Sequence, residues 1–421
     1  MGMTLTEKII ARHAGRDHVA PGDVVGIGID LCMANDATMR LNIRLVEQEL
    51  RAERLFDPAK VIIVMDHQVP ADSPATAEVL ELSQRFAARY GAHFFANEGI
   101  CHQILAERFV EPGMLLVGAD SHTNSLGALG AVSCGMGSTD IAAAMVSGRS
   151  WLRVPETVRV TLTGRMRPGV RPKDAILRLV AETTCSGLIY QAVEFAGDGV
   201  EAMEVPERFT LCNMTTECGA KSSMVQPDER TLAYIREQRG QAPVLPADLR
   251  SDPDAVFARD IHIDLSELEP MIAKPFSVDN VDTVASVKGT RIDQAFLGSC
   301  TNGRIEDLRE AAAVLGGRRV APHIRFLVTP ASRTVYRQAM KEGLIATFLD
   351  AGAIINHPGC SACWGAHQGV LSAGQAMIST GNRNFRGRAG HRDSLIYLAS
   401  PATVAASAID GTIQDPREYA A

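Results

Sequence analysis

Short, unbroken apolar runs recur along the chain, each ending in a polar or glycine-rich turn and followed by a stretch of helical periodicity. The run KVIIVM predicts a buried strand over Lys60–Met65, and similar runs predict strands at Met114–Val117, Gln294–Leu297 and Ala353–Ile355. Helices are expected between them. One covers Ala75–Tyr90 and is closed by Gly91, with Val79, Leu82, Phe86 and Tyr90 on or near one face. Another starts near Asn302 and ends at Gly316-Gly317, with Ile305, Leu308 and Ala312 inward. Such alternation argues for α/β layers built on mostly parallel sheets. Ligands in these sheets bind beyond the carboxyl ends of the strands. The polar turns DH (66–67), GADSHT, GSCTN and NHPGCSAC all fall there, which points to one composite site.

Fresh starts near Pro155 and across Val281–Gly289 divide the chain into three expected domains, 1–155, 156–286 and 287–421. The proline-rich stretch at 243–254 reads as a surface excursion. With 421 residues there is enough chain for each domain to bury its own core. The net charge of -7, with lysines and arginines scattered among the acids, offers no basic stripe for nucleic acid. An anionic substrate would have to be held by a few placed arginines. The N-terminus lacks the basic-then-apolar order of a signal peptide, and Thr4 with Glu7 spells a helix-opening capping box. No apolar run approaches the ~18 residues of a spanning helix, so a cytoplasmic location is expected.

Nine cysteines are too few for a disulfide scaffold in a chain of this length. Cys32, Cys101, Cys134, Cys185, Cys212 and Cys218 stand singly among small or apolar neighbours and are expected to be buried thiols. Cys300, in LGSCTN, and the pair Cys360 and Cys363, in HPGCSACWG, sit in turns. A C-x-x-C pair alone fits a zinc half-site, a redox pair or two core thiols. Three thiolates, with Cys300 ahead of a helix start that would favour its anion, suit a metal centre keeping one position open.

Asp66-His67 and Asp120-Ser121-His122 place a carboxylate beside an imidazole directly after predicted strands, and His102 lies in a similar setting. A carboxylate neighbour fixes an imidazole's tautomer and tunes it for proton transfer. Each histidine taken singly fits an ordinary structural role; their repetition at strand ends favours chemistry. Arg383 and Arg388, in GNRNFRGR, could grip two carboxylates, although a solvated loop would carry the same residues. Glu217, among small and apolar neighbours, is a candidate buried acid.

Together GADSHT, GSCTNGR, HPGCSACWG and STGNRNFRGR, in this order along nearly the whole chain, resemble the aconitase superfamily. The form GSCTNGRIEDLR and the compact length are most similar to large subunits of its isopropylmalate and homoaconitate branch. The resemblance implies three aconitase-type α/β domains around a central iron–sulfur cleft. It implies a 4Fe–4S cluster on Cys300, Cys360 and Cys363, with Asn213 and Asn382 beside it. Asp66, His67, His102, Asp120, His122 and Glu217 would then handle protons and the leaving hydroxyl, while Ser121, Arg383, Arg388 and Asn35 would face substrate. Full-length aconitases carry a further domain whose Ser-Ser-Arg loop supplies the base. No such motif occurs here, so a separate small subunit of swivelling-domain type is the expected partner. The implied reaction is dehydration and rehydration of a 2-hydroxy dicarboxylic acid. An RNA-binding iron sensor and a zinc-stabilised structural protein are the rival classes.

Overall fold

Three of the four predicted apolar runs become strands buried on both faces, which requires layers above and below them, while the fourth, Ile354–Ile355, is a sheet edge with Ile354 exposed. The computed structural model describes residues 2–365 and 367–419; Met1, Ala366, Ala420 and Ala421 lie outside it. The strand Val61–Met65 is wholly buried. It belongs to a five-stranded parallel sheet ordered His93–Ala96, Val61–Met65, Leu31–Asn35, Leu115–Gly118, Val132–Gly135. The strands Val24–Gly28 and Arg149–Arg153 form a separate antiparallel pair. The second sheet is also parallel, in the order Ser222–Val225, Ala192–Ala196, Thr157–Thr163, Arg259–Asp264.

The third sheet has seven strands, ordered Val281–Thr283, Met271–Ala273, Leu395–Leu398, Ala376–Ser379, Gln294–Leu297, Arg325–Val328, Ile354–Ile355. It is parallel from Leu395–Leu398 onward, and Met271–Ala273 runs antiparallel to both its neighbours. The expected boundary between 286 and 287 therefore cuts this sheet, whose first strand starts at Met271. These two short strands carry too little alternation to announce a new sheet. The expected boundary between 155 and 156 does fall between sheets, ahead of Thr157–Thr163.

Helix Pro74–Tyr90 ends on left-handed Gly91 as its sequence demands, and buries Phe86 and Tyr90. Thr4 and Glu7 close the capping box of helix Leu5–Ala14. One apolar cluster joins Met33 of the first sheet, Val160 of the second and Phe296 with Met377 of the third. This shared core locks the three sheets together, so their carboxyl ends meet in a fixed geometry. No helix among the described residues is long and apolar enough to cross a membrane.

Candidate active site

The strand ends converge on one cavity of about 160 Å3, lined among others by Asp66, His67, His102, Asp120 and His122 from the first domain. The third domain adds Cys300, Cys360, Cys363, Asn382, Arg383 and Arg388. Each cysteine is set by a tight backbone. Ser299 (φ 79°) and Ser361 (φ 49°), each adjacent to a cysteine, take left-handed conformations that cost a non-glycine residue strain. A Cβ on Gly359 would stand 2.8 Å from the Asp66 carbonyl. That carbonyl accepts the Cys360 N–H at 2.8 Å, tying the first domain to the paired cysteines.

Donors surround the sulfurs. Asn213 Nδ2 donates to Cys300 Sγ at 3.1 Å and Asn382 Nδ2 at 3.4 Å. Ser299 Oγ lies 3.4 Å from Cys363 Sγ, and the Arg388 guanidinium 3.8 Å from it. Burial pushes the Cys363 thiol up, but Arg388, Ser299 and His122 outweigh it and hold the thiol below its usual range. Cys360 moves well up, from burial first and then from Asp66 and the neighbouring sulfurs. Burial and Cys363 also raise Cys300. The expected helix-start assistance to Cys300 is absent because the helix begins only at Ile305, and the dipole acts within about one turn. The two asparagine amides take its place. Three sulfurs facing one cavity, two of them contacted by N–H or O–H donors, fit a thiolate-bound iron–sulfur centre. Asp66, His67 and Cys360 also bring one potential ligand atom each within 4.8 Å of one another.

The groups expected to handle protons fall into two hydrogen-bonded sets that approach each other where His67 Nε2 lies 3.9 Å from Asp120 Oδ2. His102 Nε2 lies 2.8 Å from Asp120 Oδ1, which also accepts the His122 N–H at 2.8 Å. His122 Nε2 lies 2.9 Å from Glu217 Oε1, and Arg383 Nε donates to the same oxygen at 2.9 Å. His67 Nδ1 lies 2.8 Å from Asp66 Oδ1 and 3.0 Å from Asp36 Oδ1. Burial alone would push Asp120 up, yet His102 and His122 hold its carboxyl well below the usual range. Burial opposes a charged His122, but Asp120 and Glu217 raise it above its ordinary 6.5. The same contest leaves His67 well above that value through Asp66 and Asp36.

The signs of these shifts set a pH window for the cluster-free protein. The raised histidines contribute stability that is fully present below 6.5 and is lost as pH rises through their folded values. Asp120 contributes stability present above its ordinary 3.8 and lost as pH falls through its lower folded value. Melting temperature against pH should therefore peak between those ordinary values and decline on both sides. In Asp120→Asn the acid arm and the part of the alkaline arm carried by His122 should flatten; an unchanged profile would detach Asp120 from the linkage.

Not every expected residue reaches the cavity. Asn35 is fully buried and does not line it; its Nδ2 has no partner among the described residues. It ends a strand at the N-cap of helix Asp36–Arg44, which turns the side chain into the protein. The next residue, Asp36, accepts from the His67 and Gln68 amides at 3.0 and 2.9 Å. It directly follows strand Leu31–Asn35, which the sequence reading did not single out. Ser121 is exposed and lines a neighbouring 410 Å3 cavity that shares Asp120 with the first. Asn213 holds Cys300 from helix Val205–Met214, and Glu217 sits in the turn Thr215–Cys218. Trp364, whose ring meets His67 edge-on at 4.9 Å, and Ser299 also line the cavity without having been anticipated. Five of the six solitary cysteines are buried as expected, but Cys185 is exposed, in the turn after helix Pro172–Thr183. Cys101 is a fourth thiol on the cavity wall.

The profile described as "Aconitase family (aconitate hydratase)" matches residues 7–288 and 280–411. The chain is 49% identical over 424 residues to 3-isopropylmalate dehydratase large subunit 1 of Methanopyrus kandleri, covering 100% of both chains. It is 47% identical to a probable methanogen homoaconitase large subunit of Methanothermobacter thermautotrophicus, covering 99% of this chain and 98% of that one. Among solved structures, aconitase X of Thermococcus kodakaraensis aligns with a TM-score of 0.53 at 14% identity, over 93% of each chain, which is a likeness of fold. With the four motifs gathered at one cavity and relatives near half-identical from end to end, this chain belongs to the aconitase family.

Proposed function

We propose that the chain is the cluster-carrying large subunit of a hydro-lyase that interconverts 3-isopropylmalate and 2-isopropylmalate through the alkene. The observation that carries this reading is the meeting of three cysteines, the Asp120 histidine network and two arginines in one small cavity, in a chain 49% identical throughout to a 3-isopropylmalate dehydratase large subunit. A 4Fe–4S cluster held by Cys300, Cys360 and Cys363 would supply a Lewis-acidic iron for the substrate hydroxyl.

The protein's own groups do the rest. Arg383 and Arg388 hold carboxylates, and Glu217 orients Arg383 through Nε. His122, raised above its ordinary value by Asp120 and Glu217 against the effect of burial, is placed to give a proton to the departing hydroxyl. Asn213 and Asn382 fix Cys300. The base for the carbon proton comes from a separate small subunit of swivelling-domain type, in keeping with relatives named as large subunits. Homoaconitate is the second reading, favoured by the relative at 47% identity.

Anaerobic reconstitution with iron and sulfide, followed by titration with the small partner, tests the reading. Negligible turnover of isopropylmalate alone, rising to a plateau at fixed stoichiometry, is expected, with a higher kcat/KM than for homoaconitate. A preference for homoaconitate selects the second reading, and absence of iron and sulfide overturns both. Arg383→Lys and Arg388→Lys should each lower kcat/KM about tenfold to a hundredfold. An ammonium keeps the charge but loses the paired geometry, and a charged hydrogen bond is worth roughly 1.5–3 kcal/mol. Wild-type kinetics in both would move the carboxylate site elsewhere.

A further inference from the structure

Lys173 has no exposed surface at all, although it is a lysine near the start of helix Pro172–Thr183 in the second domain. Its Nζ donates to the Thr380 carbonyl at 3.0 Å and to the Gly381 carbonyl at 2.5 Å, both in the third domain. Its hydrogen-bond partners are thus neutral carbonyls rather than a carboxylate, and an ammonium is costly to bury on such terms. Burial pulls this ammonium down to about 7, against the opposing pull of Cys363, Asp307, Cys300 and Asp174.

The turn it grips is joined to the Cys300 and Cys363 sides of that centre. Thr380 Oγ1 accepts from Gly298 N–H at 2.9 Å and donates to Gly298 O at 2.9 Å, on the strand end that leads to Cys300. A Cβ on Gly381 would stand 3.0 Å from Ser379 Oγ and 3.6 Å from Cys363 Sγ, so the turn lies directly against the sulfur. The next residue, Asn382, donates to Cys300 Sγ at 3.4 Å and to Thr301 Oγ1 at 3.1 Å. Arg383 then reaches Glu217.

We propose that Lys173 is a positioning residue for the cysteine centre. From the second domain it clamps the Thr380–Gly381 turn, and thereby sets Asn382 against Cys300 and Arg383 against Glu217. The kinetic part of this proposal rests on the hydro-lyase reading; the clamp itself does not.

Lys173→Met removes both donor and charge at similar length, whereas Lys173→Gln keeps one donor without charge. In the cluster-free full chain, amide hydrogen exchange over residues 380–385 should speed up about tenfold or more in the Met variant, the scale of one lost charge-assisted hydrogen bond. The Gln variant should fall between it and wild type, and strand Val61–Met65 should keep its protection. In reconstituted protein, a chelator should strip iron and sulfide about tenfold faster from the Met variant, and KM for the hydroxy acid should rise more than kcat falls, as expected when ground-state contacts such as that of Arg383 are displaced. Unchanged exchange, retention and KM in a folded Met variant would overturn the proposal. So would exchange rising evenly over all three sheets, or loss of folding in both variants, because either outcome makes Lys173 a general stabiliser. Wild-type protein that takes up no iron or sulfide would refute the hydro-lyase reading, while the exchange measurement would still decide the clamp.

Discussion

Cys300→Ser, Cys360→Ser and Cys363→Ser are each expected to abolish the brown colour of reconstituted protein together with its turnover, whereas Cys185→Ser leaves both at wild-type level. The contrast follows from position. The first three sulfurs face one cavity, while Cys185 is exposed and its sulfur lies 3.7 Å from Ser277 Oγ, outside that cavity. With only three protein thiolates, no spare ligand exists in the set, and serine is a poor substitute for a soft sulfur donor toward iron. Cys101 lines the same wall, but it sits on helix Cys101–Arg108 rather than in either cysteine turn. Visible absorbance and iron and sulfide content check the outcome. A Cys360→Ser protein with the wild-type spectrum would sink the three-cysteine assignment.

The second large effect is expected from Asp120→Asn. Asp120 accepts from the His122 amide and sits against His102 Nε2, with His122 Nδ1 at 3.6 Å and His67 Nε2 at 3.9 Å. The amide side chain is close to isosteric and can still accept the His122 N–H through its oxygen, so the turn that carries His122 should persist. What disappears is the negative charge that helps raise His122 above its ordinary value. A positioned general acid is worth roughly 10² to 10⁴ in rate, so kcat should fall by about that factor while iron content stays at wild-type level. The loss should be largest at high pH, where His122 without its partner sheds its proton first. A decrease smaller than about tenfold at every pH would remove Asp120 from the proton-handling network.

Much of the site was legible in the sequence because its chemistry sits on short segments directly after apolar runs. In an α/β layer those segments are forced to the carboxyl ends of the strands. Asp66, Asp120, Cys300 and Cys360 all follow this rule, and so do the strands at Val61–Met65 and Gln294–Leu297 that aim them. The alternation of runs and helices was likewise enough for three α/β units. It was not enough for the start of the third unit, because Met271–Ala273 and Val281–Thr283 are three-residue strands that pair with each other and join the sheet only through Leu398, far along the chain.

Which face a side chain takes was beyond local pattern. Asn35 and Asp36 are adjacent and both polar, yet the helix that begins between them turns one inward and the other toward His67. Ser121, one residue from Asp120, lines a different cavity. The solitary cysteines looked alike, but Cys185 falls in an exposed turn. Lys173 shows the limit best. Its neighbours RPKD read as an ordinary helix start, and only the packing of the second domain on the third turns its ammonium toward Thr380 and Gly381. The amino-acid sequence determined which chemical groups this protein carries and at which strand ends. The tertiary structure decided which of them meet, because contacts made across separate sheets depend on how whole layers pack and leave no trace in residue spacing.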